Sequence, residues 1–339
     1  MNGAAQQRPA AVSRPRIGFL GTGRIGLFRM QSLADSGLVE AAMVADPSPE
    51  MREAALKIAP EAEVASSLDD LLSAGLDAIV IATPSALHAE QSIAAFEAGL
   101  AVFCQKPLGR TEAEVRAVVD AARKADRLLG VDFSYRHTAG MQRIRELVTA
   151  GTLGHVFAAD LVFHNAYGPD KPWFFDKALS GGGAAMDLGC HLVDLALWTL
   201  GCPEVTDVSG RLVRNGQPIR NDSDDVEDYA SATFMLDSGT QVRIACSWHL
   251  HAGRDAVIGA EFYGTDGGAS FSNVGGSFLD FRADHHTGTG TRQIAEPPED
   301  WMRGAITQWA EQLVAGQGFD PAAEEFVTVA NVLDRIYAR

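Results

Sequence analysis

Apolar and polar positions follow two different rhythms along this chain. In the first third, short solid apolar runs alternate with stretches of helical spacing. Arg16-Ile17-Gly18-Phe19-Leu20 leads into an amphipathic segment ending at Asp35, and further apolar runs cover 41–45, 77–82, 101–104 and 128–133. Runs with no polar alternation are those of strands buried on both faces, as in a parallel sheet. Between them, 85–99 has helical spacing, and Thr111-Glu112-Ala113-Glu114 is a capping box that opens a helix running to Asp126. Such alternation predicts a doubly wound α/β sheet.

Beyond Arg136 the rhythm changes. His137 to Ala150 reads as a crossover helix, with Gly151 to Gly154 as its exit turn. From His155 to Asn165, and again from Val205 to Asn273, strand patterns dominate. Gln241 to Trp248 alternates with period two behind the hairpin turn Asp237-Ser238-Gly239-Thr240. The expectation is an α+β domain with a large open, mostly antiparallel sheet and the segment 181–198 as a helix on one face. Residues 284–300, polar and bearing Gly and Pro, read as a loop, and 326–337 returns to helical spacing. The predicted division is a disordered tail at 1–15, a Rossmann-type domain at 16–135, an α+β domain at 136–325 and a C-terminal helix at 326–339 packing back on the first domain.

With 339 residues and 46% hydrophobic content, two domain cores are expected. The net charge of −16 and the lack of a Lys/Arg-rich run argue against a nucleic-acid or anionic-membrane partner. No apolar stretch is long enough to span a bilayer. The cysteines Cys104, Cys190, Cys202 and Cys246 are scattered without metal-knuckle or disulfide spacing, so no metal is expected and reduced thiols in a cytoplasm fit best.

The first apolar run ends in Gly21-Thr22-Gly23-Arg24-Ile25-Gly26, a Gly-x-Gly-x-x-Gly pattern at a strand-to-helix turn. There the first glycine permits the turn, the second admits a pyrophosphate and the third lets helix pack on strand. Asp46 closes the next strand, 20 positions after Gly26, where a dinucleotide fold places an acid against the ribose hydroxyls. A carboxylate there would repel a 2′-phosphate, and Pro47-Ser48 supplies no immediate arginine, so NAD is favoured over NADP. Thr83, Pro84, Lys106 and Pro107 follow strand ends and fall on the ligand-binding edge. A cation such as Lys106 can stabilise a developing alkoxide, although a surface lysine before a proline turn has the same local sequence. Asp187, His191 and Asp194 share helical spacing behind Gly181-Gly182-Gly183, a turn able to pass close to a ligand. A carboxylate one turn from an imidazole can orient the ring and raise its proton affinity, while a buried, satisfied histidine would leave the same pattern.

Together these residues resemble the Gfo/Idh/MocA oxidoreductases, over roughly 16–337. The resemblance rests on the Gly21–Gly26 motif, Ala82-Thr83-Pro84 with His88, Gln105-Lys106-Pro107, and the glycine triplet followed by Asp187, His191 and Asp194. It implies an N-terminal Rossmann domain and a C-terminal domain whose open sheet commonly forms dimers or tetramers. It further implies hydride transfer between NAD(H) or NADP(H) and a hydroxyl or keto carbon of a sugar, cyclitol or related polyol. Lys106 resembles the family's catalytic lysine, Asp187 its conserved aspartate and His191 its acid/base, with Asp187 expected to orient His191. Gly21, Thr22, Gly23, Arg24, Ile25, Gly26, Asp46, Thr83, Pro84, His88, Gln105 and Lys106 are the expected cofactor contacts. Gln105 departs from the family, which usually has Glu before Lys-Pro. The resemblance also leaves room for a hydrolase or lyase working by transient oxidation, and for a non-catalytic nucleotide-binding protein.

Overall fold

The computed structural model of the protein describes residues 14–220 and 223–338. The expected disordered tail lies outside these residues except for its last two positions. In chain order the elements are β1 (Arg16–Leu20), α1 (Arg24–Ser36), β2 (Glu40–Ala45), α2 (Pro49–Ile58), β3 (Glu63–Val64), α3 (Leu68–Ser73), β4 (Ala78–Ile81), α4 (Ser85–Glu97), β5 (Ala101–Cys104), α5 (Glu112–Ala125) and β6 (Leu129–Val131). All the strands of this half are parallel, in the order β3-β2-β1-β4-β5-β6. Strand order reverses beside β1, which opens a crevice at its carboxyl end. β4 and β5 are buried at every position, the burial that their solid apolar runs require.

A short 3₁₀ turn (Ser134–His137) then leads to α6 (Ala139–Thr149), β7 (Val156–Asn165), the single-turn α7 (Lys177–Ser180), a π-helical turn (Ala185–Gly189) and α8 (Cys190–Thr199). β8 (Val205–Arg214), β9 (Gln217–Pro218), β10 (Tyr229–Leu236), β11 (Gln241–Ser247), β12 (Ala256–Gly264), β13 (Gly268–Asn273), β14 (Phe281–Thr287) and β15 (Gly290–Ala295) complete a nine-stranded sheet with β7. Its order is β15-β14-β13-β12-β7-β11-β10-β8-β9, antiparallel throughout except for the β7/β11 pair. Alternate residues of β10 and β11 face a core that includes Leu192, Leu195 and Ala196 of the fully buried α8.

Two expectations need correction. Residues 284–300 are not a loop as a whole, because Ala283 to Thr287 pair with 290–295 in an edge hairpin. The mostly exposed, polar β15 leaves no period-two contrast to read. Nor does the chain remain with the second sheet until 325. α9 (Gly304–Val314) returns to the first, where Ile306, Trp309 and Ala310 share a buried cluster with Ile17, Phe19, Met30 and Phe103. α10 (Glu324–Ile336) meets α5: Asn331 bonds Glu112, and Arg123 pairs with Glu324. Among the described residues no helix is long and apolar enough to cross a membrane.

Candidate active site

The glycine turn after β1 has the shape its motif demands. Gly21 sits at φ +85°, and a Cβ there would lie 2.6 Å from the Ala82 carbonyl oxygen; one on Gly26 would lie 2.1 Å from the Gly21 oxygen. A Cβ on Gly23 would meet nothing within 4 Å. The first and third glycines are therefore set by protein packing, while the second faces open space at the start of α1. The Gly23 N-cap supplies no side-chain acceptor to the first N–H groups of α1, which remain available to an anion. Thr22 Oγ1 is buried without a hydrogen-bond partner among the described residues. These features fit a dinucleotide phosphate.

Asp46, at the end of β2, accepts the Thr22 N–H on one carboxylate oxygen at 2.7 Å and the Ser48 N–H on the other at 2.8 Å. Each oxygen retains a lone pair for a hydroxyl. Arg24 is exposed and Ile25 half-buried at the mouth of the turn. Pro47-Ser48 supplies no arginine, but Arg52, from α2, donates from Nη1 to the carbonyls of Asp46 (2.7 Å) and Pro47 (3.2 Å).

Thr83 and Pro84 follow β4 on the same edge. Thr83 Oγ1 donates to Gln91, and Pro84 is the N-cap of α4. His88 was expected to meet the cofactor, yet both its ring nitrogens face backbone carbonyls, Pro107 at 2.7 Å and Thr83 at 2.7 Å. Burial is the main reason its pKa is lowered, and the Lys106 charge adds to that. His88 is a brace between two strand-end loops. Gln105 likewise turns its amide inward, donating to Asp132.

Lys106 reaches across to the other half of the molecule. Its Nζ donates to Asp187 Oδ1 at 2.7 Å and to the Asp187 carbonyl at 2.7 Å. Two of its three N–H donors are thereby fixed, and one remains for a substrate oxygen. Burial opposes the ammonium, but Asp187 outweighs it with help from Cys190 and Asp132, so the lysine pKa is raised. Asp187 Oδ2 accepts the indole Nε1–H of Trp248 at 3.1 Å. Trp248 directly follows β11, and nothing in its local sequence marks it as a site residue.

Asp187, His191 and Asp194 take different partners. The turn over Ala185–Gly189 is π-helical, and among the described residues no hydrogen bond joins Asp187 to His191. Asp187 is engaged by Lys106 and Trp248, and Asp194 accepts from Arg136 Nη2 at 2.6 Å. His191 is held by rings instead, with Tyr135 at 5.0 Å, Phe133 at 6.1 Å and Phe163 at 6.4 Å between centroids. Its Nδ1 is buried and has no hydrogen-bond partner among the described residues. Burial, then the Lys106 charge, hold its pKa well below the ordinary imidazole value. Asp187 does not raise its proton affinity, contrary to expectation. Cys190 lies close by, but burial pushes its thiol up to about 12 and it stays inert.

The glycine triplet serves packing more than ligand approach. A Cβ on Gly182 would lie 2.1 Å from the Tyr337 hydroxyl, and one on Gly183 would lie 1.9 Å from the Glu227 carbonyl oxygen. Buried Glu227 Oε1 accepts the Gly183 and Ala185 N–H groups, both at 2.9 Å, and the Tyr337 hydroxyl at 2.6 Å. Tyr337 Oη in turn accepts the Met186 N–H at 3.2 Å. Sequence reading missed Glu227 and Tyr337, because both act from far along the chain.

Two family profiles match this chain. Residues 15–133 match the oxidoreductase family with an NAD-binding Rossmann fold, and 141–270 match the GFO/IDH/MocA C-terminal domain. A D-glucoside 3-dehydrogenase of Escherichia coli is 30% identical over 210 residues, 59% of this chain and 60% of that protein. Inositol 2-dehydrogenase 3 of Saccharopolyspora erythraea is 30% identical over 255 residues, 74% of this chain and 71% of that one. The chain spans about 60% of the length of several such relatives. Among solved structures, levoglucosan dehydrogenase in complex with NADH and levoglucosan superposes with a TM-score of 0.81 at 23% identity, covering 96% of both chains. KijD10, a 3-ketoreductase from Actinomadura kijaniata in complex with NADP, gives 0.81 at 19% identity, covering 96% of this chain and 98% of that one. At those identities the likeness speaks for the fold.

Proposed function

Because this chain belongs to the GFO/IDH/MocA oxidoreductase family, we propose that it transfers a hydride between NAD(H) and a secondary hydroxyl or keto carbon of a sugar, cyclitol or related polyol. The observation that carries this reading is the Lys106–Asp187 pair, which brings a fixed cation to the strand edge that also holds the glycine turn and Asp46.

The glycine turn would hold the cofactor's phosphates and Asp46 its ribose hydroxyls; once bound, the nicotinamide supplies the hydride acceptor. The remaining N–H of Lys106 holds the substrate oxygen and stabilises its developing negative charge. Asp187, fixed on both oxygens, sets where that N–H points. His191, kept neutral by burial, is in the form needed to accept the hydroxyl proton at Nε2. The proton it gains is disfavoured by the apolar cage, so the imidazolium readily returns it in the reverse reaction. The aromatic rings of Phe133, Tyr135 and Phe163 help keep bulk water away from this exchange.

Asp46 favours NAD, and Arg52 beside it supplies a cation that tempers the preference. Phe157 and Tyr263 stand 50% and 37% exposed on neighbouring strands of the second sheet, which supports a homodimer or homotetramer through that face. The deciding experiment is a panel of sugars, cyclitols and their keto forms with NAD and NADP separately, followed by nicotinamide absorbance. Turnover that is lost in Lys106→Met and His191→Gln while NADH still binds supports the assignment. Near-parental rates in either variant would remove that residue from the mechanism.

A further inference from the structure

One buried cluster beside Lys106 has no part in the chemistry just described. Cys104 registers with Val131 in the β5/β6 pair, so Gln105 and Asp132 stand side by side just past the strand ends. The Gln105 amide donates to Asp132 Oδ2, and the same oxygen accepts Arg29 Nε at 2.6 Å. Asp132 Oδ1 accepts the Ser134 hydroxyl, whose oxygen also takes Arg29 Nη2 at 3.0 Å. Arg29 Nη1 donates to the Met302 carbonyl. Arg29 and Asp132 are each only 3% exposed. A buried ion pair is weak evidence for stability, because desolvation offsets its Coulombic gain, so its position invites a functional reading.

That position joins three parts of the site. Arg29 is on α1, the helix that begins at the glycine turn. Gln105 is covalently next to Lys106. Asp132 leads into the turn that carries Tyr135 and Arg136. We propose that Asp132 is a positioning residue for Lys106: through Gln105 and Arg29 it ties the lysine to the cofactor-binding helix. The proposal rests on the reading of Lys106 as the group that holds the substrate oxygen.

The identity of residue 105 follows from the same geometry. A carboxylate at 105 would meet Asp132 Oδ2 at hydrogen-bond range in a buried setting, where two like charges disfavour ionisation of both. An amide donates there instead. Asp132 acts on Lys106 in the same sense as Asp187 and Cys190, favouring the ammonium. The other groups coupled to the amine are His191 from α8 and His88 from α4, and both are held neutral partly by its charge.

The test uses the full-length protein and the best alcohol from the panel above. Gln105→Met, Gln105→Glu, the double variant Gln105→Glu with Asp132→Asn, and Lys106→Met are compared by kcat, by its pH profile, by NADH binding and by thermal melting. Gln105→Met removes the donor without adding charge, and its kcat should fall ~10-fold or more while NADH affinity and melting stay near parental. Gln105→Glu should be impaired further, and its kcat should gain a pH dependence, absent from the parent, from the proton the two carboxyls share. The double variant returns the cluster to a single carboxylate and should recover most of the loss. Parental kcat and pH profile in both single variants, with Lys106→Met inactive, would overturn the proposal, as would a double variant no better than Gln105→Glu. Parental rates in Lys106→Met would instead overturn the reading beneath it.

Discussion

Lys106 Nζ lies 2.7 Å from Asp187 Oδ1, joining the edge of one sheet to a helix that packs on the other across 81 positions of sequence. The pair couples the two halves at the point where hydride transfer is proposed. Asp187→Asn should retain a hydrogen bond yet lose the charge that favours the ammonium. We expect kcat to fall by roughly 10²-fold, the scale for loss of one transition-state electrostatic contact, with NADH affinity little changed. Single-turnover rates alongside fluorescence titration with NADH would check this.

Trp248 fixes the second oxygen of the same carboxylate. Trp248→Phe keeps the ring and removes the donor, so Asp187 Oδ2 loses a partner worth about 1 kcal/mol. The expected outcome is a several-fold drop in kcat with the melting temperature almost unchanged. A variant whose kcat matches the parent would show that Lys106 alone fixes the carboxylate.

Cofactor choice should be movable at two residues. Asp46→Ala removes the charge that repels a 2′-phosphate and leaves Arg52 nearby. The ratio of kcat/KM for NADP over NAD should therefore rise by ~10-fold or more, equivalent to at least 1.4 kcal/mol. Adding Arg52→Ala should reverse most of that gain. Steady-state kinetics with both cofactors decide it.

Acid should destabilise the fold through its buried histidines. His137 is lowered to about 4, chiefly by burial and then by the Arg136 charge. Its unfolded counterpart titrates near 6.5, so between those values the unfolded chain binds more protons than the folded one. The stabilising contribution is complete above about 6.5 and is lost as pH falls towards 4. Urea unfolding at a series of pH values should show declining stability on the acid side, and His137→Gln should flatten that slope.

Gly183→Ala places a methyl group against the Glu227 carbonyl, a backbone atom that side-chain rotation cannot clear. Overpacking of this kind costs about 1–3 kcal/mol. Melting temperature and kcat should fall together, because the turn leads directly into the segment bearing Asp187. A variant with parental melting would mean that this backbone shifts more readily than its buried partners imply.

The parallel half was legible because its strands, buried on both faces, are solid apolar runs, and because the glycine motif reports local backbone needs. Lys106, Asp187 and His191 could be singled out as residue types, but their partners could not. Asp187 and His191 share a face in sequence, but the folded chain gives Asp187 to Lys106 and Trp248 instead. Trp248, Glu227 and Arg29 act through contacts made only in the folded chain. The α9 helix went unread because Arg303 provides no side-chain cap, although Ile306, Trp309 and Ala310 mark an apolar face. At the sheet edge, solvent on most sides of β15 removes the burial pressure that would otherwise write a strand into its sequence.

The bonds from Tyr337 to Glu227 and Met186 also have a temporal meaning. Translation delivers Asp187 about 150 residues before the phenol that steadies its turn. A nascent chain released to fold through β15 could complete both sheets and still lack a set geometry around Lys106. Competence for turnover should thus arrive late in synthesis, as a ribosome-stalling series with stops placed on either side of α10 would reveal.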